Sequence, residues 1–280
     1  MPDQHLFGRT NQAFSNLWLS LQMGLEDPAE LAWEAAQGGH PLDVTNNIAL
    51  WGGLLRDQNF PAVIFGTHES ENAVDENHAA TLVSAHIVQS ISSLGGRPIT
   101  FYFLPIRRAW EEFQIDGTLQ ALEMAREDGL IKHFGLWAEG HPLAVLGWWQ
   151  FRDAFEALMI PHHPPAEEHI KTLVPLAKER RVGYVGCQSL SWGTGCAVSE
   201  LSAESDAAAK LISHSATEMP VMVGVRSPGE IRTAREAVAN PTPHDSLVQE
   251  LMAKVNDPLA WSKLNNDARP WVRRAACSRA

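Results

Sequence analysis

The sequence predicts an α/β protein in which helices pack on a parallel sheet. Apolar residues recur at helical spacing over 87–94, and two glycines, Gly95 and Gly96, suit the end of that helix. A run of β-forming residues follows directly over 99–104. Because a helix, a glycine break and a buried strand in succession make up half of a βαβ unit, the strand is expected to join a parallel sheet.

Length and charge narrow the class of protein. A chain of 280 residues is long enough for two ordinary domains or for one α/β barrel. The formal net charge of -11 argues against a nucleic-acid partner, because phosphate binding needs clustered Lys and Arg. We therefore expect a globular protein whose partner is a small-molecule ligand or substrate.

Cysteine usage and hydropathy predict the compartment. The three cysteines are odd in number, widely spaced and without metal-ligand spacing, which favours a reducing cytoplasm. The first residues lack a basic region followed by an apolar core, and no apolar run approaches membrane-spanning length. We expect a cytoplasmic protein with no membrane partner, and the oligomeric state stays open.

The helix and strand over 87–105 also carry a family resemblance. The segment resembles the part of the aldo-keto reductases in which a helix ending Ser-Leu-x-x-Leu-Gly precedes a strand written Asp-Leu-Tyr-Leu-Leu-His. Four positions of that frame are kept, namely Ser90, Ile91, Leu94 and Gly95. Pro105 stands where the family has its catalytic histidine. The scaffold is thus similar to the family, while the chemistry at this strand end differs.

The resemblance extends along nearly the whole chain. It begins near Gly8-Arg9-Thr10 and ends in the segment 221–231, with eight strand positions in order and no internal domain boundary. It implies a (β/α)8 TIM barrel that forms a single domain over residues 1–280. In such barrels the functional site lies at the carboxyl ends of the strands.

The individual elements follow in order on this frame. Pro28 begins a helix over 28–36, and Gly38 and Gly39 end it. An apolar strand is expected over 62–67, and a helix over 119–127 stops at Asp128-Gly129. The resemblance implies the later strands, which fall within 129–136, 155–163, 176–190 and 221–231.

The catalytic set of the resembled family is largely replaced. Aldo-keto reductases transfer hydride from a nicotinamide and use a tyrosine whose pKa is lowered by a lysine and an aspartate. The resemblance keeps only the aspartate, as Asp43, and puts His68 at the position of the lysine. At the position of the tyrosine this chain has Ile48 or, if a loop insertion is allowed, Trp51. Without a positioned proton donor, we expect conventional hydride transfer to be lost.

Residues that would hold the cofactor are partly replaced as well. The family's carboxamide ligands correspond here to Trp137-Ala138 and Met159, which weakens the expectation of an NADP(H) cofactor. The phosphate-binding turn before a short helix persists as Gly224, Arg226 and Ser227. Because helix N-termini bind anions, these three residues are the predicted cofactor-binding or phosphate-binding residues.

Other side chains could supply new chemistry in the same cleft. Asp43 and His68 end adjacent strands, so they could form a dyad in which the carboxylate orients the imidazole as a general base. His162 and His163 are expected across the cleft, and Cys187 could act as a nucleophile if its pKa were lowered. A zinc site built from the histidines and Asp43 is considered but not predicted, because the ligands are scattered.

Three functions stay open from the sequence. The first is a redox-neutral enzyme that uses an acid–base dyad of Asp43 and His68, assisted by His162. The second is a non-catalytic pseudoenzyme that binds a ligand or partner. The third is a divergent NAD(P)H-dependent carbonyl oxidoreductase in which His68 or His162 gives the proton. The residues favour the first function, while the family resemblance alone favours the third.

Overall fold

The barrel predicted from the sequence is confirmed. In the computed structural model, residues 4–24, 27–162, 167–187 and 204–249 are described. Their strands are β1 (Gln4–Leu6), β2 (Ala13–Ser15), β3 (Leu17–Leu21), β4 (Leu42–Asp43), β5 (Ala62–Phe65), β6 (Ile99–Pro105), β7 (Ile131–Trp137), β8 (Ala157–Pro161), β9 (Gly183–Cys187) and β10 (Val221–Val225). Strands β3 to β10 are parallel to their neighbours and form a closed barrel, in which β10 pairs with β3. The fold is therefore a (β/α)8 barrel.

Helices follow the strands on the outside of the barrel. The described helices are α1 (Pro28–Ala36), α2 (Ile48–Leu54), α3 (Glu76–Ser93), α4 (Glu112–Glu127), α5 (Pro142–Phe151), α6 (Glu167–Glu179), α7 (Glu204–Ala216) and α8 (Pro228–Ala239). No helix in these residues is long and apolar enough to cross a membrane.

Local signals explain where the helices begin and end. The predicted helix over 28–36 has these bounds in the structure, with the Asp27 side chain accepting a hydrogen bond from the N–H of Ala29 at 2.9 Å. Helix α3 begins well before the apolar periodicity, because the Asp75 side chain caps it by accepting from the N–H of His78 at 2.8 Å. It ends at Ser93, just before Gly95 and Gly96, whose φ angles of 69° and 86° favour glycine.

Two apolar clusters divide the core. One lies between the barrel and the helices and includes Leu19, Ile64 and Leu158. The other fills the barrel, where Trp18 and Phe101 have ring centroids 5.0 Å apart. The β1–β2 hairpin adds Phe7 and Phe14 to this inner cluster at the amino-terminal end of the barrel. Aromatic rings fill that end of the barrel interior, and a cavity opens at the carboxyl ends of the strands.

Candidate functional site

A cavity of about 390 Å³ opens at the carboxyl ends of the strands. This is the end at which α/β barrels bind their ligands. Its lining comes from strands β3, β4, β5, β7, β9 and β10, from the segments that follow them, and from α2 and α3. The lining residues are Ser20, Gln22, Asp43, Thr45, Asn46, Ile48, Phe65, Gly66, Thr67, His68, His86, Trp137, Glu139, Cys187, Met222 and Gly224.

Asp43 is held by neutral hydrogen-bond donors. It is the last residue of β4 and is only 6% exposed. Its Oδ2 accepts a hydrogen bond from the hydroxyl of Ser20 at 2.6 Å, and its Oδ1 accepts one from the backbone N–H of Thr45 at 2.9 Å. Burial raises the pKa of Asp43, and these hydrogen bonds oppose the rise. The side chain thus lies in the cavity wall without a cationic partner among the described residues.

His68 pairs with Glu139 rather than with Asp43. Its Nε2 lies 3.2 Å from Oε2 of Glu139, and its Nδ1 lies 3.8 Å from Oε1 of Glu71. The expected Asp43–His68 dyad is therefore not formed. His68 lies three residues beyond the end of β5 and reaches the rim, where it meets a carboxyl group from the segment after β7. The oxygens of Asp43 meanwhile bind Ser20 and Thr45.

The two glutamates beside His68 differ in their electrostatics. Burial raises the pKa of Glu139, although the nearby His68 and Arg107 oppose the rise. Burial would also raise the pKa of Glu71, but interactions with His68 and Arg107 outweigh it and hold that pKa below its usual range. The guanidinium Nη2 of Arg107 lies 3.3 Å from Oε2 of Glu71. Glu71 thus pairs with Arg107 as well as with His68, whereas Glu139 is the carboxyl group that lies closer to His68 at the cavity wall.

Sequence reasoning missed Glu139, although a signal was present. The residue follows the end of β7 by two positions, so the topology alone puts it at the functional end of the barrel. Gln22 was missed in the same way, one residue after β3. His86 was missed because it belongs to helix α3, and nothing in the helical spacing indicates that its side chain lines the cavity.

His86 connects the cavity to a buried tyrosine. Its Nδ1 lies 2.8 Å from the hydroxyl of Tyr102, which is fully buried in β6. Burial lowers the pKa of His86 and raises that of Tyr102. Gly66 leaves room for this hydroxyl, since a Cβ there would lie 2.8 Å from it. The pair is a neutral hydrogen-bonded unit behind one wall of the cavity.

Cys187 lies in the cavity wall as an unactivated thiol. It is the last residue of β9 and is 4% exposed. Burial raises the pKa of the thiol, and the indole N–H of Trp137 beside it only partly opposes the rise. Because the thiolate is the nucleophilic form, this environment does not support the predicted role as a nucleophile.

His162 does not line the cavity, contrary to expectation. Ala157 and Met159 of β8 face the barrel interior. Because side chains alternate along a strand, the side chain of His162 falls on the outer face. Its side chain covers Gly186, and its Nε2 lies 2.8 Å from Oε2 of Glu218. His163, which was expected beside it, lies outside the described residues.

Other replaced positions divide between the cavity and the core. Ile48 at the start of α2 lines the cavity, whereas Trp51, the alternative at the tyrosine position, is fully buried. Trp18, Pro105 and Met159 are buried and do not line the cavity. These positions are thus divided between the cavity wall and the core.

The predicted phosphate turn is occupied by the protein's own carboxylate. Gly224 lines the cavity, while Arg226 and Ser227 lead into helix α8. Oε2 of Glu230 accepts a hydrogen bond from the backbone N–H of Arg226 at 2.6 Å, and Oε1 lies 3.3 Å from the Arg226 guanidinium. The Ser227 hydroxyl accepts the N–H of Glu230 at 3.2 Å as the helix cap.

The described ranges contain no group of three or more His, Cys, Asp or Glu side chains placed to hold a metal ion. Of the residues weighed for zinc, Asp43 and His68 share the cavity without touching, and His162 lies elsewhere.

Comparisons with known proteins bear on the fold. No protein-family model matches the sequence, and no curated protein matches it. Among solved structures, an aldo-keto reductase from Bacillus halodurans in its holo form is similar, with a TM-score of 0.66, 16% identity, and coverage of 90% of this chain and 96% of that one. An aldo-keto reductase from Klebsiella pneumoniae in complex with NADPH gives a TM-score of 0.65 at 13% identity, covering 92% of this chain and 96% of its own. The chain therefore has the fold of the aldo-keto reductases, as its sequence resemblance predicted.

Proposed function

We propose that this barrel, which has the aldo-keto reductase fold, binds a small organic molecule in its carboxyl-end cavity and acts on it by acid–base chemistry without hydride transfer. The observation that carries the proposal is the His68–Glu139 pair, whose two members line the cavity and lie 3.2 Å apart. In this proposal His68 moves the proton, and the nearby carboxyl group of Glu139 balances the charge of the protonated ring.

The chemistry of this pair suits proton transfer. Imidazole is the side chain whose ordinary titration lies closest to neutral pH, so a histidine can both take and give a proton there. A carboxyl group 3.2 Å from the ring attracts the positive charge that the ring carries once it takes a proton. Because the cavity has room for a ligand of ordinary size next to the pair, a bound molecule could present an acidic C–H or O–H to His68.

Several features argue against hydride transfer from a dinucleotide. No Lys or Arg is among the described residues that line the cavity. The backbone N–H and guanidinium of Arg226, which would be expected to meet phosphate, bind Glu230 instead. Met159, at the position of a carboxamide ligand, is fully buried and does not line the cavity. The residues present thus fit a nicotinamide dinucleotide poorly.

A divergent NAD(P)H-dependent carbonyl reductase is the second candidate. It is favoured by the similarity to solved reductases, one of which contains NADPH. In that case His68 would be the proton donor to the carbonyl oxygen, since Ile48 stands at the cavity near the position expected for tyrosine.

Cofactor titration separates the two candidates. The purified protein would be titrated with NADPH and NADH while the fluorescence of its ten tryptophans is followed, with calorimetry as the confirming measurement. We expect no binding at millimolar cofactor. Saturable binding in the micromolar range would contradict the proposal and favour the reductase, and a panel of carbonyl substrates would then be assayed.

Hydrogen exchange tests the acid–base role directly. The protein would be incubated in D2O with a panel of small ketones, amines and hydroxy compounds, and deuterium uptake at carbon would be followed by NMR. For any compound that exchanges, His68→Asn should slow the reaction about a hundredfold to ten-thousandfold. His141→Asn is the matched control, because His141 also pairs with a glutamate, Glu168, but lies 57% exposed and away from the cavity lining. Undiminished exchange in His68→Asn would remove His68 from the mechanism.

A further inference from the structure

We infer that the ligand of this cavity is an organic cation that carries N–H donors, an ammonium or amidinium group on an apolar body. The inference rests on the proposed function, because it names the class of molecule that the same cavity takes. Four features of the described residues support it, namely unpartnered acceptors, an uncompensated carboxyl group, a cavity lining without Lys or Arg, and an aromatic wall.

The first observation is an acceptor left over in a chain of hydrogen bonds. The single hydroxyl proton of Ser20 is donated to Asp43, so the oxygen of Ser20 accepts from Nε2 of Gln22 at 2.8 Å. This fixes the amide of Gln22 and leaves its Oε1 without a hydrogen-bond partner among the described residues, although Gln22 is only 5% exposed. A buried carbonyl oxygen without a donor is costly, and a ligand N–H at this point of the lining would satisfy it.

The second observation is the carboxyl group of Asp43. Within the described residues its partners are the neutral Ser20 and Thr45, and no cationic side chain lies within ion-pair distance of it. A buried carboxylate is strongly destabilised unless a positive charge compensates it. A ligand cation in the cavity would supply that charge and would bring the raised pKa of Asp43 back down.

The third observation is the sign of the charges that face the cavity. The titratable groups among its described lining residues are Asp43, Glu139, His68, His86 and the thiol of Cys187, and no Lys or Arg is among them. Oε2 of Glu139 also accepts no well-directed hydrogen bond from the part of the chain that is described, although His68 is 3.2 Å away. An anionic ligand would meet two carboxyl groups here, whereas a cation would be attracted by both and by the net charge of -11 of the whole chain.

The fourth observation is the aromatic part of the wall. Phe65 and Trp137 both line the cavity and pack edge to face, with ring centroids 4.8 Å apart. Aromatic faces attract cations as well as apolar groups. Ile48 and Met222 extend this apolar surface. A ligand that combines an N–H cation with an apolar body would contact both the carboxyl groups and the apolar wall of the cavity.

Isosteric probes test the inference. Benzylamine, benzamidine, benzyl alcohol and benzoate would be titrated into the full-length protein by calorimetry at pH 7.5. We expect both cations to bind at least about tenfold more tightly than benzyl alcohol, and benzoate to bind most weakly, because a charge-assisted hydrogen bond is worth more than a neutral one. Asp43→Asn should remove most of the preference for cations, while Asp57→Asn, an exposed aspartate outside the cavity lining, should leave it unchanged.

The pH dependence gives a second readout. Because a bound cation favours the ionised form of Asp43, benzylamine affinity should rise as the pH rises from the ordinary value of 3.8 through the raised pKa of Asp43, with proton release on binding below that pKa. Glu139, His68 and His86 face the same space and add to the slope, so the difference between wild type and Asp43→Asn isolates the share of Asp43. Benzyl alcohol should show a shallower profile.

The outcomes separate the inference from the proposed function. Tighter binding of benzyl alcohol or benzoate than of the amines would overturn the inference and leave a small-molecule cavity in place. Cation binding that Asp43→Asn does not weaken would also overturn it, because the site would lie elsewhere. Failure of all four probes to bind would count against both the inference and the proposed function. Circular dichroism of Asp43→Asn confirms that the variant is folded.

Discussion

Two histidine–carboxylate pairs in this barrel look alike and differ in position. His162 and Glu218 lie 2.8 Å apart, closer than His68 and Glu139 at 3.2 Å. Yet the His68 side chain is 34% exposed and lines the cavity, whereas that of His162 is 7% exposed and covers Gly186 on the outside of the barrel. The shorter contact thus belongs to packing, so the distance between two ionisable groups does not by itself indicate chemistry.

The largest expected difference between the two pairs is in stability. His162→Ala should lower the free energy of unfolding by about 1–3 kcal/mol, because it removes a buried side chain and leaves Gly186 uncovered. His68→Ala should change it by less than about 1 kcal/mol, since that side chain is partly exposed. Urea unfolding followed by tryptophan fluorescence measures both, and His141→Ala is the exposed control. Equal losses in the two variants would mean that both histidines are structural.

The hydrogen bond between His86 and Tyr102 should have an intermediate effect on the free energy of unfolding. Tyr102→Phe removes the hydroxyl that binds Nδ1 of His86 and should lower the free energy of unfolding by about 1 kcal/mol, a typical value for one hydrogen bond. Tyr184→Phe is the matched control, because Tyr184 is the other tyrosine of the chain. The same urea measurement applies. A neutral result would show that a buried water or a shift of His86 replaces the lost hydroxyl.

The smallest expected effect is a change of the free energy of unfolding with pH, and its sign should differ between Glu218 and Glu139. The pKa of Glu218 is lowered, chiefly by its hydrogen bond with His162, so its stabilisation is complete above the ordinary value of about 4.5 and is lost as the pH falls through the folded pKa. The pKa of Glu139 is raised by burial, so wild type loses stability relative to Glu139→Gln as the pH rises from about 4.5 through that raised value.

Urea unfolding of wild type, Glu139→Gln and Glu218→Gln between pH 3 and 8 checks this sign. The Glu218 effect will be modest, because its side chain is 48% exposed and solvent screens the interaction. If both differences changed in the same direction with pH, the contrast between the cavity pair and the outer pair would be wrong.

Much of the fold could be predicted, because it depends on glycine positions and apolar patterns that can be seen directly in the sequence. The glycines after α3 are required by their positive φ angles, and the apolar strands are required by a core on both faces. The start of α3 could not be predicted from apolar periodicity, since its first turns are polar and depend on the cap at Asp75. A capping residue followed by a helix-forming stretch was the signal available there.

The sequence placed Asp43 and His68 at one end of the barrel but did not predict which groups they contact, and that this cavity is a functional site stays a prediction. Asp43 and His68 both line the cavity, as their places at strand ends indicate. Which groups are in contact depends on side-chain direction and on the paths of the loops. In the structure His68 pairs with Glu139, and Asp43 accepts a hydrogen bond from Ser20. The outward position of His162 was within reach of the sequence, because a residue three positions after an inward-facing strand residue falls on the other face.

The aromatic filling of the barrel has a kinetic consequence. Within the described residues, Phe7, Phe14, Trp18 and Phe101 close the amino-terminal end of the barrel, so a molecule in the cavity would enter and leave at the carboxyl ends of the strands. A reaction product and a fresh substrate would then share one passage and exclude each other. If the proposed acid–base activity is confirmed, product inhibition of a competitive type is therefore expected.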